Sequence, residues 1–88
     1  MSDKANRRAD ENDYDLYLKT QSEIPNGDYK HWKGNIYKVI GIALNTETLK
    51  PDVIYIQTSS LITWSRPASE WYDIMPDGQQ RYTKLESV

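Results

Sequence analysis

The chain has 88 residues, a formal net charge of −2 and no cysteine. A chain of this length forms one domain with a modest core, and without Cys it has no disulfide, thiolate zinc site or cysteine nucleophile. No apolar stretch approaches the roughly 18 residues of a membrane span, and the polar N-terminus is unlike a signal peptide. We therefore expect a cytoplasmic protein without membrane association. The slight negative charge disfavours a general nucleic-acid binder.

The N-terminal part of the chain changes character at Asn12. Residues 1–11 are mostly polar and charged, and they have too little apolar surface to offset the entropy that is lost on ordering. They are predicted to be a disordered tail. Residues 12–23 are predicted to be a short amphipathic helix and linker.

The spacing of apolar residues indicates this helix. Tyr14, Tyr17 and Leu18 stand at i, i+3 and i+4, which predicts a helix over 12–21 with Asn12 as its N-cap. An isolated helix of this length is marginal in water. Its apolar side chains must therefore dock on the domain, on a partner or on a second copy, and the last case would make a homo-oligomer.

The rest of the chain, residues 24–88, is predicted to be one β domain. Five short segments are rich in β-branched and aromatic residues, alternate apolar with polar, and are separated by turn signals. The predicted strands are 29–33, 36–44, 53–58, 62–66 and 81–85, with one helical or 3₁₀ turn over 68–73. Gly41, inside the second strand, predicts a bulge or a sharp bend.

The predicted fold is a small SH3-like five-stranded antiparallel barrel, because closure removes the edges of an open sheet. The alternative is an open meander that the N-terminal helix covers on one face. Alternation along the second strand places Ile40, Ile42 and Leu44 in the core. The chain has seven Tyr, three Trp and no Phe, so every aromatic ring carries a polar group that needs a partner. We expect aliphatic residues to supply most of the core and several aromatics to lie at its rim.

Trp64-Ser65-Arg66-Pro67 is the sharpest local motif. Trp64 and Arg66 share one face of their strand, and this pair suits a ligand with a planar ring and an anionic group, such as a nucleotide or a single-stranded nucleic acid. The structural alternative is that Arg66 lies on Trp64 or forms a bidentate ion pair with Glu47. Glu47, between Thr46 and Thr48, is predicted to lie in a capped loop, and the spacing gives it no catalytic partner.

His31 is the single histidine of the chain. Its structural interpretation is a half-buried side chain that bonds across strands, and its functional interpretation is a ligand contact. One His without Cys is too few for a zinc site. The chain has no glycine-rich phosphate loop and no metalloprotease motif, so no cofactor, metal ligand or catalytic residue is predicted.

Several blocks of the β region together resemble a known family. They are Tyr29-Lys30-His31-Trp32-Lys33-Gly34, Tyr37-Lys38-Val39-Ile40-Gly41-Ile42-Ala43, Thr46-Glu47-Thr48, Val53-Ile54-Tyr55 and Trp64-Ser65-Arg66-Pro67. In this order, over about residues 27–71, they are similar to the domain of unknown function 1653 family of bacteria and phages. The resemblance implies a compact, mostly β domain similar to SH3-like barrels, and it supplies no established activity.

The chain departs from the family pattern at one pair of positions. Relatives usually carry Arg-His before Ser-Glu-Thr, where this chain has Leu44-Asn45. An anion contact made by that pair in relatives would be absent here.

These patterns predict a non-enzymatic binding module that uses an aromatic and arginine surface. Its partner would be a small anionic, nucleotide-like ligand or a protein. The alternative is a phage-encoded inhibitor of a host defence system that sequesters a nucleotide signal or blocks a host protein, and single-stranded RNA binding or enzymatic activity are weaker alternatives. The predicted binding residues are Tyr29, His31, Trp32, Lys33, Glu47, Tyr55, Trp64 and Arg66.

Overall fold

The computed structural model of the protein describes residues 9–86. One helix precedes five strands, and a short 3₁₀ turn lies between the last two strands. The elements are α1 (Glu11–Glu23), β1 (Gly27–His31), β2 (Ile36–Leu44), β3 (Pro51–Gln57), β4 (Thr63–Pro67), the 3₁₀ turn (Ala68–Glu70) and β5 (Tyr82–Lys84). Within this part of the chain, no helix has the length and apolar character needed to cross a membrane.

The five strands form one sheet in the order β4-β3-β2-β1-β5, and all neighbouring strands are antiparallel. The prediction of a mostly β fold with five antiparallel strands is confirmed. The predicted closure into an SH3-like barrel is wrong, because β4 and β5 lie at opposite edges of the sheet. Both edge strands are short, which limits the unpaired backbone groups that an open edge exposes.

The helix begins before Asn12 because Asp10 is its N-cap. The Asp10 carboxylate accepts a hydrogen bond from the Asp13 N–H at 3.1 Å, and the Asp13 carboxylate accepts one from the Asp10 N–H at 2.9 Å. This reciprocal pair is a capping box. Its negative charges also interact favourably with the positive N-terminal end of the helix dipole. The predicted N-cap at Asn12 is therefore wrong. Most of the predicted tail, residues 1–8, lies outside the described residues.

α1 docks on the sheet through only part of the predicted apolar face. Tyr17 packs half-buried against the core, and Thr20 and Ile24 are buried, so the inward face has the spacing i, i+3, i+7. Tyr14 and Leu18 are exposed. Of the three predicted cases, docking on the domain is therefore shown for Tyr17, whereas Tyr14 and Leu18 do not pack on the sheet.

A β-bulge in β2 decides which isoleucines reach the core. The register with β3 shifts between Val39 and Gly41, so Ile40 is an extra residue without a partner on β3. The alternation changes face at this point: Val39 is fully buried, Ile40 is 44% exposed and Ile42 is 7% exposed. Leu44, at the strand end, is half-buried. The predicted irregularity at Gly41 is confirmed, and the predicted core position of Ile40 is wrong.

The core of the domain is largely aromatic. Trp71 stacks on Tyr82 with ring centroids 3.7 Å apart and planes 3° apart. Tyr29 and Tyr55 meet the Trp71 ring edge-on at 5.4 and 5.1 Å, and all four side chains are buried. The expectation of a mostly aliphatic core with aromatics at its rim is therefore wrong for these four residues. A single sheet under one short helix leaves a wide space, which large rings fill more completely than branched aliphatic side chains.

Candidate functional site

The face of the sheet that carries the core also carries a group of polar side chains. Arg66 lies opposite Val53 and Trp64 lies opposite Tyr55, so both β4 side chains share the face of these buried β3 residues. Toward the opposite edge of the same sheet, His31 of β1 lies opposite Tyr82 of β5. The strand register thus places an arginine, a histidine and two tyrosines on one surface.

The guanidinium of Arg66 is only partly paired. Its Nη1 lies 3.2 Å from a carboxylate oxygen of Glu70, four residues along the chain. Its Nε is buried and has no hydrogen-bond partner among residues 9–86. Burial acts to lower the pKa of Arg66, but the neighbouring hydroxyls of Tyr55 and Tyr82 raise it on balance, so the guanidinium remains charged.

The two tyrosine hydroxyls near Arg66 contact each other. The Tyr82 hydroxyl donates to the Tyr55 hydroxyl at 3.5 Å, at the long limit of a hydrogen bond. Burial raises the pKa of Tyr82, and its contact with Tyr55 raises it further. Tyr82 therefore remains a neutral phenol at neutral pH, with donor and acceptor capacity beside a cation.

His31 lies in a positive electrostatic field. Burial lowers the pKa of the imidazole, and three positive charges lower it further, those of Arg81, Lys33 and Arg66. The Nδ1 atom accepts a hydrogen bond from the Lys33 N–H at 3.2 Å, which assigns the proton of the neutral ring to Nε2. The ring contacts Tyr82 and Tyr37 edge-on at 4.9 and 5.9 Å. A neutral histidine with its proton on Nε2 therefore lies within the field of three cations.

Buried N–H donors without an acceptor are concentrated near this surface. Arg81 places its Nη2 3.8 Å from an Asp73 carboxylate oxygen, while its Nε has no partner in the described residues. The same is true of the Nε1 of Trp71, whose ring stacks on Tyr82. An unpaired buried donor costs about 1–3 kcal/mol, so native proteins contain few of them. Two of these three donors belong to guanidinium groups that act on the same histidine.

Comparison with known families assigns the chain to one of them. Residues 27–84 match the family described as protein of unknown function DUF1653. The chain belongs to the DUF1653 family. A crystal structure of a DUF1653 protein from Bordetella bronchiseptica is similar, with a TM-score of 0.65 and 26% sequence identity over 77% of this chain and 95% of that one. No curated protein matches the sequence significantly.

The family match confirms the predicted resemblance and extends it from residue 71 to β5. Every side chain of the polar surface, from His31 to Tyr82, lies inside the DUF1653 match. The helix α1 lies outside it. The polar surface is therefore built by the DUF1653 part of the chain.

Four of the predicted binding residues lie on or beside this surface. His31, Tyr55 and Arg66 contribute to it directly, and Trp64 lies next to Tyr55 with 46% of its area exposed. Tyr29 does not, because its hydroxyl donates to the Pro25 carbonyl at 2.8 Å, whereas the hydroxyls of the similarly buried Tyr55 and Tyr82 lie near Arg66.

The remaining predicted residues lie in two turns. Trp32 and Lys33 follow β1, and the Lys33 Nζ lies 5.4 Å from the centroid of the Trp32 ring. Glu47 lies in the β2–β3 loop, where its N–H donates to the Asn45 side-chain oxygen at 2.8 Å. The predicted ion pair between Glu47 and Arg66 is wrong, because Glu70 is the carboxylate that pairs with Arg66.

Sequence reasoning missed Tyr82, Arg81 and Glu70. Glu70 carried a usable signal, since it follows Arg66 by four residues across a predicted turn. Arg81 and Tyr82 reach the surface only because β5 pairs with β1, a long-range contact that no local pattern reveals. No group of three His, Asp or Glu that could hold a metal ion occurs between residues 9 and 86.

Proposed function

We propose that this DUF1653 protein is a non-enzymatic binding module whose site for a small anionic ligand is the Arg66 surface, formed by Arg66, His31, Tyr55 and Tyr82. One observation carries the proposal. The Nε of Arg66 is a buried N–H donor of a charged guanidinium, it has no partner in the described residues, and the Tyr55 and Tyr82 hydroxyls interact with the same guanidinium.

The chemistry of the surface favours an anion. A guanidinium presents its N–H groups as a rigid fork that matches a phosphate or a carboxylate, and Glu70 contacts only Nη1. His31 adds a donor through Nε2. Arg81 and Lys33 also lower the pKa of the imidazole, and the positive field that does so attracts an incoming negative charge.

An exposed ring beside the surface adds a preference for planar ligands. Trp64 lies opposite Tyr55 on the same sheet face and is half-exposed. Stacking of a nucleobase on an aromatic side chain contributes about 1–3 kcal/mol per base. A nucleotide combines such a ring with a phosphate, so it is the ligand class that fits best. A protein that sequesters a nucleotide signal would need the same chemistry.

Calorimetric titration with three related probes tests the proposal. The probes are AMP, which has both base and phosphate, adenosine, which has the base alone, and inorganic phosphate. We expect AMP to bind more tightly than either fragment. Arg66→Gln removes a charged hydrogen-bonding group, and such a group contributes about 1.5–3 kcal/mol, so AMP affinity should fall at least about tenfold.

Lys38→Gln is the matched control, because Lys38 is exposed and points to the opposite face of β2. It removes one positive charge without touching the Arg66 surface, and it should leave AMP affinity unchanged at moderate salt. Equal losses in the two variants would show diffuse charge attraction and would refute the site. An absence of AMP binding at millimolar concentration would refute the nucleotide-like ligand class. Circular dichroism of Arg66→Gln checks that the sheet still forms.

A further inference from the structure

A cleft of about 810 Å³ lies between α1 and the ends of β3 and β4. Leu16 and Thr20 of α1 line one side, and Pro67 and Tyr72 line another. The volume falls within the range of about 300–1,000 Å³ that is typical of small-molecule sites. None of the four side chains of the Arg66 surface lines this cleft, so the two features are separate.

Two hydrogen bonds fix the walls of the cleft. The Tyr72 hydroxyl donates to the Glu23 carbonyl at 3.1 Å, which ties the end of α1 to the segment after the 3₁₀ turn. The Asn45 side-chain amide donates to a carboxylate oxygen of Asp52 at 3.0 Å, which ties the β2–β3 loop to β3. Both bonds join elements that line the cleft, so the packing of the helix on the sheet sets its shape.

The charged groups of the cleft are unbalanced. Glu23 and Asp52 contribute two carboxylates, while Lys50 contributes the one cationic side chain among those that line it. Neither carboxylate forms an ion pair within the described residues. Apolar walls with one carboxylate more than cations complement a molecule that has an apolar body and a positive head group.

We propose that this cleft binds a small apolar amine. Its hydrocarbon or aromatic body packs against Leu16 and Tyr72, and its ammonium group lies by Glu23 and Asp52. The wall from α1 precedes residues 27–84, so the site combines the N-terminal helix with the DUF1653 part of the chain. The inference does not depend on anion binding at the Arg66 surface.

Fragment titrations monitored by ¹H–¹⁵N NMR on the full chain test this inference. The probes share a phenylethyl skeleton and differ in charge: phenethylamine, 2-phenylethanol and 3-phenylpropionate. We expect the amine to bind most tightly and to shift the backbone amides of Leu16 and Ala68, which line the cleft. The alcohol should bind more weakly, and the carboxylate should not bind there.

Charge-removing variants locate the ammonium group. Glu23→Gln and Asp52→Asn should each weaken amine binding about threefold. Asp28→Asn is the control, because it removes an exposed carboxylate that does not line the cleft. Glu23 is exposed, so its variant keeps the test open if Asp52→Asn unfolds the domain. Equal affinity for amine and alcohol, equal effects of all three variants, or shifts confined to residues outside the cleft would overturn the inference.

Discussion

Two isoleucines of β2 provide a sharp test of the fold. Strict alternation would place Ile40 and Ile42 on the same face, whereas the bulge leaves Ile40 44% exposed and Ile42 7% exposed. Ile42→Ala should therefore lower the free energy of unfolding by about 2–4 kcal/mol, the usual cost of deleting a buried isoleucine. Ile40→Ala should cost less than about 1 kcal/mol, because its side chain already contacts water.

Urea unfolding, followed by tryptophan fluorescence, measures both values. With a slope of about 1–3 kcal/mol per molar urea for a small domain, a loss of about 3 kcal/mol lowers the Ile42→Ala midpoint by about 1–3 M. Ile42→Val is a milder companion that should cost about 0.5–1.5 kcal/mol if Ile42→Ala does not fold. Equal midpoint shifts for Ile40→Ala and Ile42→Ala would refute the change of face at the bulge.

Three further predictions concern the helix cap, a turn and the histidine. Asp10→Ala removes the N-cap of α1 and should cost about 1 kcal/mol in urea unfolding, and an unchanged midpoint would contradict the capping box. Leu61→Gly should stabilise the domain by about 0.5–1 kcal/mol, because Leu61 is 77% exposed and has a φ of 61°, a left-handed conformation that favours Gly. A lower Tm in that variant would contradict this strain. The pKa of His31 lies below 6.5 in the folded state, so the unfolded chain binds more protons just below pH 6.5 and stability should rise with pH through that interval. His31→Gln should flatten this rise, and an unchanged slope would contradict the positive field.

Local patterns in the sequence predicted most of the elements of the fold. The turn signals and β-branched segments located all five strands, and Gly41 marked the irregularity in β2. The helix was found from the spacing of Tyr14, Tyr17 and Leu18, but its docking face was not, because Tyr17 is the one of these three that packs on the core. Spacing shows that an apolar face exists, while the partner surface decides which side chains it covers.

Long-range pairing explains what the sequence did not reveal. β5 pairs with β1 and not with β4, which leaves the sheet open and brings Tyr82 opposite His31. Ile40 faces outward next to buried Val39, and the bulge at Ile40 reverses the later alternation so that Ile42 faces the core. For the candidate site, the predicted placement of Trp64 and Arg66 on one face of their strand is confirmed. Its carboxylate partner and its neighbouring hydroxyls depend on contacts across the sheet.

The pKa of His31 in the presence of AMP tests the central claim most directly. His31 is the single histidine, so its imidazole signals can be followed by NMR without overlap from another histidine. A phosphate bound at the Arg66 surface would oppose the positive charges that now lower this pKa, so the pKa of His31 should rise when AMP is added. Adenosine, which lacks the phosphate, should leave it unchanged. A His31 pKa that stays the same in excess AMP would contradict anion binding at the Arg66 surface.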